Sequence, residues 1–272
     1  MADFLPPLPD DFEPTRATLH AYAHAVGAIP RTHADPHDKW WHVSLKVTER
    51  GLETDSMSLP GGETFNVRLD LTSHEVVLAA GSDETPISMT DGLTGTEMGE
   101  RLIDLVGGLG LAGEYNREKF ESSDAREYTP EVVSTYFTAA RNVRDVFERH
   151  LASLPGEVSQ VQLWPHNFDL ACEWFGTRVE TYEEGGEVTE HPSQLNLGFY
   201  PEGRAYFYSN PWPFETDKLT EMPLPHGAEW HTEGWEGSIL YYDQLAGDPD
   251  AATKLADFAR AVFDAASPTL TA

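Results

Sequence analysis

The stretch from Lys39 to Arg50, KWWHVSLKVTER, restricts the fold more than any other part of the chain. Val43, Leu45 and Val47 alternate with Ser44, Lys46 and Thr48, the period of a strand with one buried face. Trp41 falls in step with the apolar set and is expected to face the core. Trp40 and His42 then share the other face, which is either a covered surface or the floor of a pocket. Phe65, Val67, Leu69 and Leu71 repeat the alternation, a polar turn follows at Thr72 to Glu75, and Val76 to Ala80 returns.

Helical spacing brackets this region. Leu19, Tyr22, Ala23 and Val26 mark a helix from Thr15 to Gly27, with His20 and His24 four apart on one face. The segment from Pro30 to Asp38 reads as a loop. Met98, Leu102, Leu105, Val106 and Leu109 mark a second helix, weakened by Gly107 and Gly108. The second half repeats the order. Pro130 opens a long helix with Val133, Tyr136, Phe137, Ala140, Val143, Phe147 and Leu151 on one side. Strands follow at Val158 to Trp164, Phe168 to Phe175, Gln194 to Tyr200 and Arg204 to Ser209, with an acidic hairpin or loop between Tyr182 and Glu190. Pro249 starts a last helix carrying Leu255, Phe258, Ala259, Val262 and Phe263.

The expected fold class is therefore α+β: two antiparallel β-meanders with flanking helices. The expected division is a surface-lying acidic, proline-rich extension at 1–13, a first half at 14–111, a connector at 112–129 and a second half at 130–268, the halves packing as one unit. A tandem α-β-α repeat is an open reading. Trp40-Trp41-His42 can be laid on Trp164-Pro165-His166, Phe65-Asn66-Val67 on Leu195-Asn196-Leu197, and Val76-Val77-Leu78 on Tyr206-Phe207-Tyr208.

Charge bounds the partners. Asp+Glu total 46 against Lys+Arg 18, a net charge of −28, and the acids are spread along the chain rather than gathered in a tail. Self-repulsion of this size opposes a compact state in dilute buffer, and concentrated salt screens it. Adaptation to a high-salt cytosol is the leading reading, a specific basic partner the other. Either way the field opposes nucleic acid and anionic membranes. Cys172 is the one cysteine, so no intrachain disulfide forms. The first residues lack a basic segment followed by an apolar one, and no apolar run reaches membrane-spanning length, so a cytoplasmic location is expected.

The segments WWHVSLKVTERGL (40–52), HNFDLACEWFG (166–176) and LGFYPEG (197–203), with the helix through Leu19 and Val26, resemble a haloarchaeal-type member of the family catalogued as a domain of unknown function, DUF5996. The resemblance covers nearly the whole chain and implies kinship of fold, with no activity attached. It also implies a histidine followed by an acid before the Gly198-Phe199-Tyr200-Pro201 run. Here the order is Glu190-His191, so no role passes to His191.

The residues that carry chemistry are histidines beside tryptophans. The zinc signature HExxH is absent, since Ala21 follows His20, and no metal ligands are expected. GxSxG, GxGxxG and GK[ST] are absent, which removes the common nucleophile-elbow and nucleotide-binding readings and leaves the cofactor unknown. Cys172 reads as a buried small residue. The leading expectation is a Trp/His-lined cleft that binds a small organic ligand, with acid/base catalysis as an open extension. In it His42 or His166 carries the proton, Asp169 orients it, and Trp40, Asn167, Tyr206 and Trp212 bind the ligand. The alternative is a non-catalytic interaction or scaffold module using the same aromatics. The two part on whether His42, His166 and Asp169 line one concave site. Oligomeric state is not legible.

Overall fold

A computed structural model describes residues 3–124, 126–184 and 187–272. The tip of the acidic hairpin expected between Tyr182 and Glu190 lies at 185–186, outside the described residues. Among the described residues the chain is α+β, with two antiparallel sheets and flanking helices. In order it runs α1 Phe12–His33, β1 Lys46–Val47, β2 Gly51–Glu53, β3 Met57–Ser58, β4 Thr64–Asp70, β5 Glu75–Ala80, β6 Asp83–Ser88 and α2 Gly95–Gly108. Then come α3 Pro130–Ala152, β7 Glu157–Val158, β8 Gln162–Trp164, β9 Asp169–Glu184, β10 Glu187–Tyr200, β11 Tyr206–Trp212, α4 Thr216–Leu219, β12 Glu229–His231, β13 Gly237–Tyr241 and α5 Ala251–Ala266. No helix among the described residues is long and apolar enough to cross a membrane.

The chain divides into two compact units. The N-terminal unit holds Leu8–Arg141 and Gln162–Asp169. Its sheet runs β1-β2-β4-β5-β6, with β3 also on β4. The alternation that predicts β4 is realised: Phe65, Val67 and Leu69 are buried, and Phe65 pairs with Ala80, Val67 with Leu78. Helix α1 packs on α2 and β4 through Leu19, Tyr22, Ala23 and Val26, all fully buried. The Tyr22 hydroxyl donates to the Leu93 carbonyl at 2.7 Å. Thr94 and Glu97 form a capping box that fixes where α2 begins.

Two local expectations are corrected here. The sequence ends α1 at Gly27 and gives Pro30 to a loop, but the helix runs on to His33. Pro30 lacks an N–H and so cannot bond back to the Val26 carbonyl, yet its ring is buried beside Ile29 and packing sustains another turn. Second, the strand read from Trp40 is a turn up to Val43. Trp40 adopts left-handed backbone, Trp41–Val43 is a single 3-10 turn, and the strand begins only at Lys46. Leu45 remains fully buried through an antiparallel bridge to Leu163.

The connector expected at 112–129 is tied down. Phe120 is buried against Gly99, where an added Cβ would lie 2.3 Å from its ring, so only glycine admits it. Arg117 pairs with Glu100 at 2.6 Å, and the Ser122 N–H donates to Thr96 Oγ1 at 2.9 Å.

The C-terminal unit holds Asn142–Val161, Leu170–Ala272 and the N-terminal strap up to Pro7. Its sheet runs β12-β13-β11-β10-β9-β7. Trp174, Leu195, Leu219, Phe263, Ala266 and Leu270 form one core cluster, with Trp174 edge-on to Phe263 at 5.1 Å. On α5 the predicted stripe of Leu255, Phe258, Ala259, Val262 and Phe263 is buried. The strap is not the surface extension expected from its composition. Leu5 is fully buried, its carbonyl accepts from Gly247 at 2.8 Å, and the Pro6 carbonyl accepts from the Tyr242 hydroxyl at 2.7 Å.

Candidate functional site

Extending α1 past Pro30 puts His24, Gly27, Ala28 and Arg31 on one face of the helix, since Gly27 and Ala28 lie three and four residues after His24 and Arg31 seven. That face is one wall of a pocket in the N-terminal unit. The pocket is an open hollow of about 430 Å³, open solvent included, lined by His24, Gly27, Ala28, Arg31, Val43, Asn116, Lys119, Pro165 and His166. Gly27 eases the approach of the 165–168 turn, because a Cβ there would sit 3.0 Å from Pro165 Cγ, tighter than an ordinary contact. The floor is buried and apolar (Gly27, Ala28, Val43, Pro165), while Arg31, Asn116, Lys119 and His166 stand exposed around the rim.

The histidines are organised by their hydrogen bonds. His20 Nε2 donates to the His166 carbonyl at 3.3 Å, and a carbonyl only accepts, so His20 carries its proton on Nε2. Its ring stacks on His24 at 4.6 Å. Phe168, fully buried at the end of the turn, packs on His20 at 5.7 Å and on Tyr136 at 5.6 Å. Burial, followed by the charges of His20, His166 and Lys119, holds the His24 imidazole down to about 4, so it is neutral at pH 7.

A testable consequence concerns acid. The unfolded His24 takes its proton near the ordinary value of 6.5 and the folded one only near 4, so the unfolded state binds more protons between them. Stability from this group is complete above about pH 7 and falls as pH drops toward 4, by on the order of 2 kcal/mol after discounting for its partial exposure. The His24 ring carbons should titrate near pH 4 by NMR; a midpoint near 6.5 would contradict the buried, neutral assignment.

Trp40 and His42 form a neighbouring arrangement rather than a strand face. Trp40 is 54% exposed and stacks on His42 at 5.5 Å, and the Arg31 guanidinium lies 5.1 Å from the Trp40 ring centroid. His42 Nδ1 accepts from the His37 N–H at 3.1 Å, which fixes its protonated nitrogen as Nε2 and makes the ring a brace for the turn. Burial, then Arg31 and His37, lowers its pKa. Arg31 is thus common to the Trp40–His42 stack and to the pocket that His166 lines.

The remaining expected residues are not part of the pocket lining. Asn167 is exposed on the same turn as His166. Asp169 is buried, and its charge and that of Arg16 act on the buried Tyr136 phenol, whose pKa burial raises. Tyr206 and Trp212 belong to the C-terminal unit, on the half-buried alternation of β11, where Tyr206 stacks on Trp235 and Trp212 on Tyr182. Cys172 is fully buried in β9 and burial raises its pKa. Among the described residues no group of three or more His, Cys, Asp and Glu is placed to hold a metal ion. Sequence reasoning missed Arg31, Asn116 and Lys119. The seven-residue step from His24 to Arg31 was the available signal, hidden by Pro30.

Fold and pocket together define a two-unit α+β protein whose N-terminal unit carries an open pocket with a neutral histidine in its wall and bases on its rim. A family model described as a family of unknown function (DUF5996) matches residues 5–271, and the chain belongs to that family. No curated protein and no solved structure matches it.

Proposed function

We propose that the chain binds a small organic molecule in the pocket between α1, the Trp41–Val43 turn, the 116–119 segment and the 165–168 turn, and works in a concentrated-salt cytoplasm. The supporting observation is the lining itself: a buried apolar floor with a few convergent polar groups, the usual make-up of a ligand site. His166 contacts the ligand directly, and Trp40 and His42 act by holding Arg31. We assign no part to Asp169, Tyr206 or Trp212. Proton transfer, where it accompanies binding, falls to His166 at the rim, because His24 stays uncharged at neutral pH. The second reading, a non-catalytic interaction module, draws on Val179, Tyr182 and Val188, exposed on the β9–β10 ribbon.

Ligand-observed NMR with a small-molecule library in concentrated KCl tests the choice. Asn116 is exposed on the rim, so Asn116→Trp caps the pocket without touching the core. Hits lost in that variant, at unchanged melting temperature, are expected. Hits indifferent to Asn116→Trp and to His166→Ala, together with concentration-dependent self-association by light scattering, would favour the interaction module instead.

A further inference from the structure

The pocket departs from the charge pattern of the rest of the chain. Acids outnumber bases 46 to 18, yet none of the nine lining residues is Asp or Glu. Most bases elsewhere pair with acids, among them Arg16 with Glu13, Arg50 and Arg68 with Asp70, Arg117 with Glu100, Arg178 with Glu180 and Glu215, Arg204 with Asp243, and Lys254 with Asp248. Arg31 and Lys119 form no ion pair among the described residues. The Arg31 guanidinium lies over the Trp40 ring, and among the described residues the Lys119 ammonium has no hydrogen-bonded side-chain partner. The Lys119 charge acts on His24 in the pocket wall, and that of Arg31 on the neighbouring His42. Lysine is scarce in this sequence, and two uncompensated cations at the mouth of one hollow leave a local positive field inside a strongly negative molecule.

We infer that the pocket takes a small organic oxyanion, its carboxylate or phosphate held between Arg31 and Lys119 and its apolar body on the Gly27, Ala28, Val43 and Pro165 floor. This rests on the ligand-binding reading above and names its ligand class. Arg31 supplies a planar fork suited to two oxygens of one group, prepositioned by its stack on Trp40. Lys119 supplies a point charge from the 116–119 segment. His24, neutral, offers one donor and one acceptor to the uncharged part of the ligand. Two cations without carboxylate partners favour an anion over neutral and cationic molecules.

The test uses four probes on the full chain in concentrated KCl: inorganic phosphate, phenyl phosphate, benzoate and the neutral benzamide. Binding is read from the His24 and His166 ring signals by NMR and from melting temperature. Phenyl phosphate or benzoate should shift both rings while benzamide does not, and whichever of the two binds tighter assigns the headgroup as phosphate or carboxylate. Lys119→Gln, which breaks no hydrogen bond or ion pair among the described residues, should weaken that binding ~10-fold or more, and Arg31→Gln likewise. Benzamide binding as tightly as benzoate, with both glutamine variants silent, would overturn the oxyanion and leave the pocket standing. No ring shift with any of the four probes would overturn the inference, and no hit sensitive to Asn116→Trp in the wider library would remove the pocket reading beneath it.

Discussion

Asp70→Ala is expected to destabilise the N-terminal unit by about 3–5 kcal/mol, the range for breaking a buried ion pair from one side. Asp70 is fully buried at the end of β4. One oxygen faces Arg50 Nε at 2.7 Å and Arg68 Nε at 3.2 Å. The other accepts from the Thr72 hydroxyl at 2.6 Å and from the Thr72 and Ser73 N–H groups at 3.1 and 3.0 Å, closing the β4–β5 turn. Burial alone would raise its pKa, but the Thr72 and Ser73 hydrogen bonds and the Arg50 charge outweigh it and hold the carboxyl at about 2. Alanine removes the turn's acceptor and leaves buried Arg68 to Glu84 at 2.9 Å and Glu53 at 3.9 Å. Asp70→Asn should cost less, since an amide oxygen keeps the Thr72 and Ser73 bonds. The pH dependence follows: this group's stabilisation is present above about pH 4 and is lost as pH falls toward 2. Urea melts of both variants in concentrated KCl decide it, and a loss under about 1 kcal/mol for alanine would mean that the two arginines find other partners.

What the sequence made legible followed from periodicity, and what it hid followed from local exceptions to it. The stripes on α3 and α5 and the alternation of β4 read directly because burial, not local chemistry, selects those residues. Around the pocket each element breaks a rule. Pro30 sits inside a helix, Trp40 turns left-handed where alternation promises a strand, and the 116–119 segment has no period at all. His42 looked like a strand-face residue because its neighbours alternate, but its ring is spent accepting the His37 N–H. His166 was legible as a candidate, whereas its partner Arg31 was assigned to a loop. The duplication stays a proposal. Element order matches between halves, yet the offset that lays Phe65 on Leu195 and Val76 on Tyr206 would pair Leu197 with Tyr208, and Leu197 pairs with Ser209. A one-residue insertion between the strands is needed to keep it.

Lowering KCl from about 3 M to about 0.1 M is expected to unfold the protein. The screening length then grows from below about 3 Å to about 10 Å, so carboxylates that ignored one another in salt begin to repel. The net charge of −28 is spread over the chain, so no single pair carries the effect. Coulomb's law at water's dielectric, over the dimensions a folded chain of this length takes, puts the change on the order of 10 kcal/mol. That is as large as the whole stability of an ordinary domain, about 5–15 kcal/mol. The paired bases cannot offset it: exposed pairs such as Arg204–Asp243 and Arg260–Asp264 contribute little each, and 18 bases face 46 acids. Circular dichroism melts across a KCl series, with sucrose at matched osmolality as a control for water activity, separate screening from solute exclusion. Full stability at the low end would point to the basic-partner reading of the same composition. The same field bears on the pocket. At low salt it repels an anion approaching Arg31 and Lys119, so oxyanion affinity should rise with KCl before chloride competition reverses it, opposite in sign to an ordinary cationic site.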